Sequence, residues 1–234
     1  MWGEIVMDLT LYKEGCKDGM PIALGYLSVS FTFGMLCVSS GVDVITAFMI
    51  SLLNLTSAGQ FSGLQLMLVQ ASLAEVALSQ FIINIRYALM SLSLSQKIES
   101  KTSGLHRLAI AFGITDEIFA LASLKEGKLK PIYMYGLITT PVIGWTLGTL
   151  LGATLFSILP LSIQDALGIA IYAMFIAIII PPAKKSKPIL YVIIIAIVIA
   201  CICTYLQLSQ GFITIIAGII AAALIAYLYP IKED

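Results

Sequence analysis

The 234 residues are 59% hydrophobic and 11% charged, with 13 basic and 13 acidic side chains and a mean hydropathy of +1.01. A soluble domain carries roughly 25% charged residues, so this composition places the chain in a membrane, and zero net charge gives no electrostatic basis for binding nucleic acid. Its apolar runs approach or exceed the roughly 20 residues a spanning helix needs, whereas a membrane barrel would show short alternating segments. The expected fold class is an all-α polytopic membrane protein, a helical bundle of about six full crossings plus broken or re-entrant segments.

Residues 1–19 have an acid, Glu4, as their first charge and lack both a basic stretch and a continuous apolar core, unlike a cleaved signal peptide. Trp2, Ile5, Val6 and Leu9 recur at helical spacing opposite Glu4, Asp8 and Lys13, which predicts a short helix lying in the interface. Residues 20–229 read as a single transmembrane domain and 230–234 as a tail. Apolar segments cover 20–40, 44–56, 59–70, 72–95, 108–124, 131–159, 166–182, 188–206 and 211–229. Those at 44–56 and 59–70 are each too short to span alone and are split by Asn54, Thr56, Ser57, Gly59 and Gln60, as two halves of a broken or re-entrant helix would be. The segment 108–124 is also marginal, and Asp116 and Glu117 sit at its centre.

Basic residues cluster at Lys13 and Lys17, at Lys97, Lys101 and Arg107, at Lys125, Lys128 and Lys130, and at Lys184, Lys185 and Lys187. If all four clusters are cytoplasmic, 44–70 enters and leaves from outside, 108–124 enters and leaves from inside, and six crossings remain. The rival count lets every segment cross and puts some basic loops outside. Gly144, Gly148 and Gly152, like Gly59 and Gly63, repeat at every fourth position and permit close helix contact. Pro181 and Pro182 end one span before the last basic cluster.

The most polar span is 72–95, with Glu75, Gln80, Asn84 and Arg86. At 100° per residue, Glu75, Ser79, Arg86 and Ser93 share one face and Gln80, Asn84, Tyr87 and Ser91 another, so this helix is expected inside the bundle. Glu75 and Arg86 are about 16 Å apart along the axis, too far to pair. Asp116 and Glu117 are the candidate partners for Arg86, either as a helix-locking ion pair or as part of a site where charge at bilayer depth serves a passing solute. At the break, Ser57, Gln60 and Ser62 add neutral hydrogen-bonding groups beside freed backbone, with Gly59 expected to release it. The alternative there is a polar kink packed against its neighbours. Cys16, Cys37, Cys201 and Cys203 lack metal-ligand spacing and read as packing residues, and His106 stands alone. No metal, no cofactor, no Ser/His/Asp triad and no phosphate-binding G-x-x-x-x-G-K-[ST] loop is indicated.

The runs PIALGYLSVSFTFG (21–34), SAGQFSGLQLM (57–67), NIRYALMSLSL (84–94) and TDEIFAL (115–121) resemble, in order and spacing, the AzlC-type large subunit of branched-chain amino-acid exporters. The second half, with Pro141, Trp145 and Gly148, fits less specifically. The resemblance implies a bacterial inner-membrane secondary transporter that exports valine, leucine, isoleucine and in some members methionine, with a small hydrophobic AzlD-type partner subunit. Family motif positions fall on Gly59, Gln60, Asn84, Arg86, Asp116 and Glu117; where many relatives have His after the arginine, this chain has Tyr87. The expected scheme uses the proton-motive force. Ser57, Gly59, Gln60, Phe61, Asn84, Arg86 and Tyr87 bind the solute, and Asp116, Glu117 and Glu75 handle its ammonium or a proton. Two rivals are a non-transporting scaffold subunit and a membrane-embedded hydrolase; the latter is disfavoured because adjacent acids on a helix point about 100° apart.

Overall fold

The structure is a computed structural model that describes residues 9–156, 158–162, 176 and 179–229. The expected interfacial helix before residue 9, most of the segment 166–182 and the tail 230–234 lie outside the described residues. Within them the fold is all-helical: α1 (Leu9–Ser39), α2 (Val44–Leu53), α3 (Ala58–Leu68), α4 (Leu73–Lys97), α5 (Gly104–Phe112), α6 (Asp116–Leu124), α7 (Pro131–Phe156), α8 (Lys187–Tyr205) and α9 (Gln210–Leu228). Five of these, α1, α4, α7, α8 and α9, are long and apolar enough to cross a membrane, so the chain is a polytopic helical membrane protein. It divides into two compact units, one of residues 1–60 and 84–159, the other of residues 61–83 and 160–234.

The first unit is built on a seam between α1 and α7. In a bilayer, lipid tails are as apolar as leucine, so helices associate through close backbone approach and hydrogen bonding. Small residues supply the approach. A Cβ on Gly144 would strike the backbone of Ala23, one on Gly148 that of Leu27, one on Gly152 that of Phe31, and one on Gly34 that of Thr149. The glycine repeat read from the sequence is thus a contact face. Its residue pairs rise together along both helices, so α1 and α7 run parallel. Polar side chains fasten the early part of the seam: Thr140 donates to the Cys16 carbonyl (3.2 Å), Tyr133 to Asp18 (2.9 Å), and Lys125 pairs with Glu14 (2.5 Å).

Helices α5 and α6 form a hairpin that leaves from and returns to that same end. Ile98, just after α4, pairs with Leu129, just before α7, as a parallel bridge. Arg107 donates to the carbonyl of Ser95 (2.9 Å), a group that the end of α4 leaves orphaned, and to that of Glu99 (3.1 Å) in the turn beyond it. Lys97 donates to the Ser123 carbonyl at the end of α6 (2.5 Å). The hairpin packs through Ile110, Ile114 and Ile118 onto Leu94, Met134, Leu137 and Ile138.

This geometry decides between the two crossing counts. Parallel α1 and α7 require an odd number of crossings between them, and the count in which all four intervening segments cross would make them antiparallel. It is overturned. Three of the four basic clusters gather at one end, which the positive-inside rule assigns to the cytoplasm. The segment 44–70 is broken between α2 and α3. Its helices of 10 and 11 residues are only about 15 Å long, half a bilayer.

In the second unit, α8 and α9 form a hairpin through Leu206–Ser209, with Gln207 at φ 57°. Ile213, Ile215, Ala217, Ala221 and Ile225 of α9 and Cys203 of α8 are buried there. At the start of α4, the Ser72 amide donates to Glu75 (3.0 Å) and the Glu75 amide to the Ser72 hydroxyl (3.3 Å), a capping box. Ser209 adds its hydroxyl to the same carboxylate. Gly63 faces the Gln80 side chain rather than a neighbouring backbone, so its spacing from Gly59 does not mark a helix seam.

Candidate functional site

Two helix breaks supply the groups of the site. Between α2 and α3, Asn54 Oδ1 accepts from the Thr56 amide (3.1 Å) and hydroxyl (2.7 Å), turning the chain, and Ser57 adopts φ 48°. The left-handed residue is Ser57; Gly59, expected to free the backbone, already lies in the first turn of α3. Between α5 and α6 the break is Gly113–Thr115. A Cβ at Gly113 would collide with Ile138. Thr115 caps α6, its hydroxyl accepting from the Ile118 amide (3.4 Å), and Asp116 and Glu117 occupy the first turn. The partial positive charge at a helix N-terminus favours carboxylates there.

Arg86, near the middle of α4, meets that terminus. Its Nη1 lies 2.5 Å from Asp116 Oδ2, and both side chains are 44% exposed. Its guanidinium carbon sits 4.9 Å over the Tyr87 ring, and Nη2 donates to the Tyr87 hydroxyl at 3.3 Å. Tyr87 in turn reaches the Thr56 carbonyl at the first break, at 3.5 Å. Glu117 takes a different partner, the hydroxyl of Tyr26 on α1 (2.5 Å), which also lies 2.6 Å from the Thr115 hydroxyl. The Tyr26 ring meets Trp145 of α7 edge-on, with centroids 5.2 Å apart.

A second, fully buried polar chain adjoins the first break. Gln60 Nε2 donates to Ser51 (2.9 Å), and Ser51 shares a hydrogen bond with Thr149 of α7 (2.7 Å). Among the described residues, Gln60 Oε1 and Trp145 Nε1 are buried and take no hydrogen bond. Buried polar atoms left unpaired cost about 1–3 kcal/mol each, so such atoms call for a reason.

Of the residues named from the sequence, the structure brings Ser57, Gly59, Gln60, Asn84, Arg86, Tyr87, Asp116 and Glu117 into one unit. Phe61, 4% exposed, and Glu75 belong to the other, where Glu75 holds the capping box together. Arg86 selects Asp116 over Glu117. The sequence placed Arg86 and Tyr87 on different faces, yet their long side chains converge. Helix α4 is also mostly exposed, against the expectation of a bundle-interior helix, because its charges find local partners rather than a surrounding core. Sequence reasoning missed Tyr26, Thr115, Trp145, Ser51 and Thr149. Tyr26 was detectable as the one phenol hydroxyl in the apolar run IALGYLSVSF. His106, which stood alone in sequence, lies 2.5 Å from the Tyr135 hydroxyl.

A family model described as AzlC protein matches residues 21–159, which contain every contact of Arg86, Asp116 and Glu117 given above. The inner membrane protein YgaZ of Escherichia coli K12 is 28% identical over 184 residues, 75% of each chain. An uncharacterized membrane protein of Archaeoglobus fulgidus is 30% identical, covering 74% of this chain and 77% of its own length. One of Helicobacter pylori 26695 is 29% identical over 222 residues, 94% of this chain and 96% of the relative. No solved structure matches.

Proposed function

The chain belongs to the AzlC family, and from that premise we propose that it is a secondary transporter exporting branched-chain amino acids across a bacterial inner membrane. One observation carries the reading: an Arg–Asp pair lies where two helix breaks meet, at the middle of the spans. Charges at bilayer depth cost about 2.5–3.5 kcal/mol each on insertion scales, and a 44% exposed pair there requires water, solute or protein on its open side. Hydrocarbon would satisfy neither charge.

A zwitterionic solute fits this set of groups. Arg86 holds the carboxylate, displacing Asp116, while Asp116 or Glu117 takes the ammonium or a proton. Ser57, Gly59 and Gln60 offer hydrogen bonds to the solute backbone, with the buried Gln60 Oε1 as acceptor. Asn84 flanks Arg86 in the same unit. Glu75 is left out of the proton path, since its carboxylate serves the start of α4. The small hydrophobic AzlD-type partner enters from the family resemblance alone.

The test is efflux of radiolabelled valine from loaded cells, with and without a co-expressed partner, comparing wild type with Arg86→Ala and Asp116→Asn at equal expression. Loss in both variants supports the site. Unchanged efflux in both removes these residues from transport, and a wild-type chain that adds nothing to an active partner leaves the scaffold reading standing.

A further inference from the structure

We propose that Tyr26 is a positioning residue whose hydroxyl links protonation of Glu117 to the Thr115 cap at the helix break. The inference deepens the transport reading and rests on it only in treating the proton as the coupling ion. Asp116 and Glu117 are neighbours in sequence but not in electrostatics. Asp116 has a counter-ion in Arg86, whereas Glu117 accepts from a neutral hydroxyl. The groups facing this carboxylate are Tyr26 from α1, Arg86 and Tyr87 from α4 and Asp116 from its own helix; α7 contributes Trp145, which does not titrate.

Tyr26 has one proton and two oxygen neighbours, Glu117 at 2.5 Å and Thr115 at 2.6 Å. With Glu117 ionised, the Tyr26 hydroxyl donates to the carboxylate and Thr115 donates to the Tyr26 oxygen. When a proton from solution adds to Glu117 Oε2, the oxygen that faces Tyr26, the carboxyl donates to Tyr26 and Tyr26 turns its own proton to Thr115. The Thr115 oxygen then accepts from Tyr26 as well as from the Ile118 amide. One proton is gained, no other bond is made or broken, and the direction of the hydrogen-bond chain reverses at the cap of α6. The Trp145 contact holds the Tyr26 ring in register.

The experiment is infrared difference spectroscopy of the full-length chain in lipid vesicles, stepped in pH without solute. Wild type is expected to show a protonated-carboxyl band that Glu117→Gln removes and Asp116→Asn keeps. Tyr26→Phe retains the ring against Trp145 but removes the donor to the carboxylate, so the band persists with its midpoint moved to higher pH by about one unit. Thr115→Ser keeps the wild-type midpoint, and Thr115→Val moves it. A band unchanged in Glu117→Gln, or a midpoint unmoved in Tyr26→Phe, overturns the proposal. Because no amino acid is present, a chain that shows the expected bands yet fails to move valine sinks the transport reading and leaves the proton site intact.

Discussion

The α1–α7 seam and the cluster at the helix breaks use the same two helices in opposite ways. Along the seam, glycines bring backbones together until no side chain fits between them. On the neighbouring face, α1 turns out the large polar ring of Tyr26 and α7 the indole of Trp145, toward charged groups half open to their surroundings. The seam leaves no room for added side chains. The cluster has unpaired buried atoms and a hydroxyl between two oxygens. A rigid frame beside an under-satisfied site is the division expected when strain and spare polarity are kept for function.

The widest separation between the two regions comes from adding bulk to the seam. Gly34→Leu drives a side chain into the Thr149 backbone and is expected to cost about 3 kcal/mol or more, read as loss of the monodisperse folded peak after detergent extraction. Gly25→Leu on the same helix, where a Cβ meets nothing within 4 Å, is expected to fold as wild type. If both are tolerated, the seam is not the frame.

Removing charge from the cluster tests the other side. Arg86→Ala is expected to lower valine efflux about 100-fold, through lost positioning, while shifting the thermal midpoint far less than Gly34→Leu. An equal collapse in stability would make the pair structural. Gln60→Met sharpens the contrast further: at nearly constant volume it deletes an unpaired buried acceptor together with the donor to Ser51, so stability should fall by no more than about 2 kcal/mol while efflux falls roughly tenfold. Efflux equal to wild type would leave Gln60 a packing residue.

The class of the protein, both breaks and the choice of Arg86 with an acid of 108–124 were legible in the sequence, because charge and short apolar runs are costly in a bilayer and so informative. The role of Glu75 was legible too, in the Ser72–Glu75 capping-box spacing, but intramembrane depth was weighed above local capping. Tyr26 and Trp145 were hidden, since an aromatic in an apolar span ordinarily packs. The parallel pairing of α1 with α7 could not be read at all: a glycine stripe shows that a helix approaches something closely, but neither what nor in which direction.

The smallest effect is at Asp43, which caps α2 through the Thr46 hydroxyl (2.6 Å) and amide (2.9 Å). Those donors hold its carboxyl below the usual carboxylate range. The charged form is thus favoured by folding, so the contribution is complete above the unfolded carboxylate value and is lost as pH falls through the lowered one. The thermal midpoint of Asp43→Ala should lie slightly below wild type at neutral pH, and the gap should narrow in acid. A gap independent of pH would mean that the cap charge contributes nothing.

The seam also sets an order of events in biosynthesis. The bond from Thr140 to Cys16 joins residues 124 apart, and α1 has its main partner in α7. At 5–20 residues per second, the ribosome delivers that partner on the order of ten seconds after α1 emerges. Through that interval the glycine face of α1 has no matching helix from its own chain. Insertion machinery or lipid must keep it from docking elsewhere until α7 arrives.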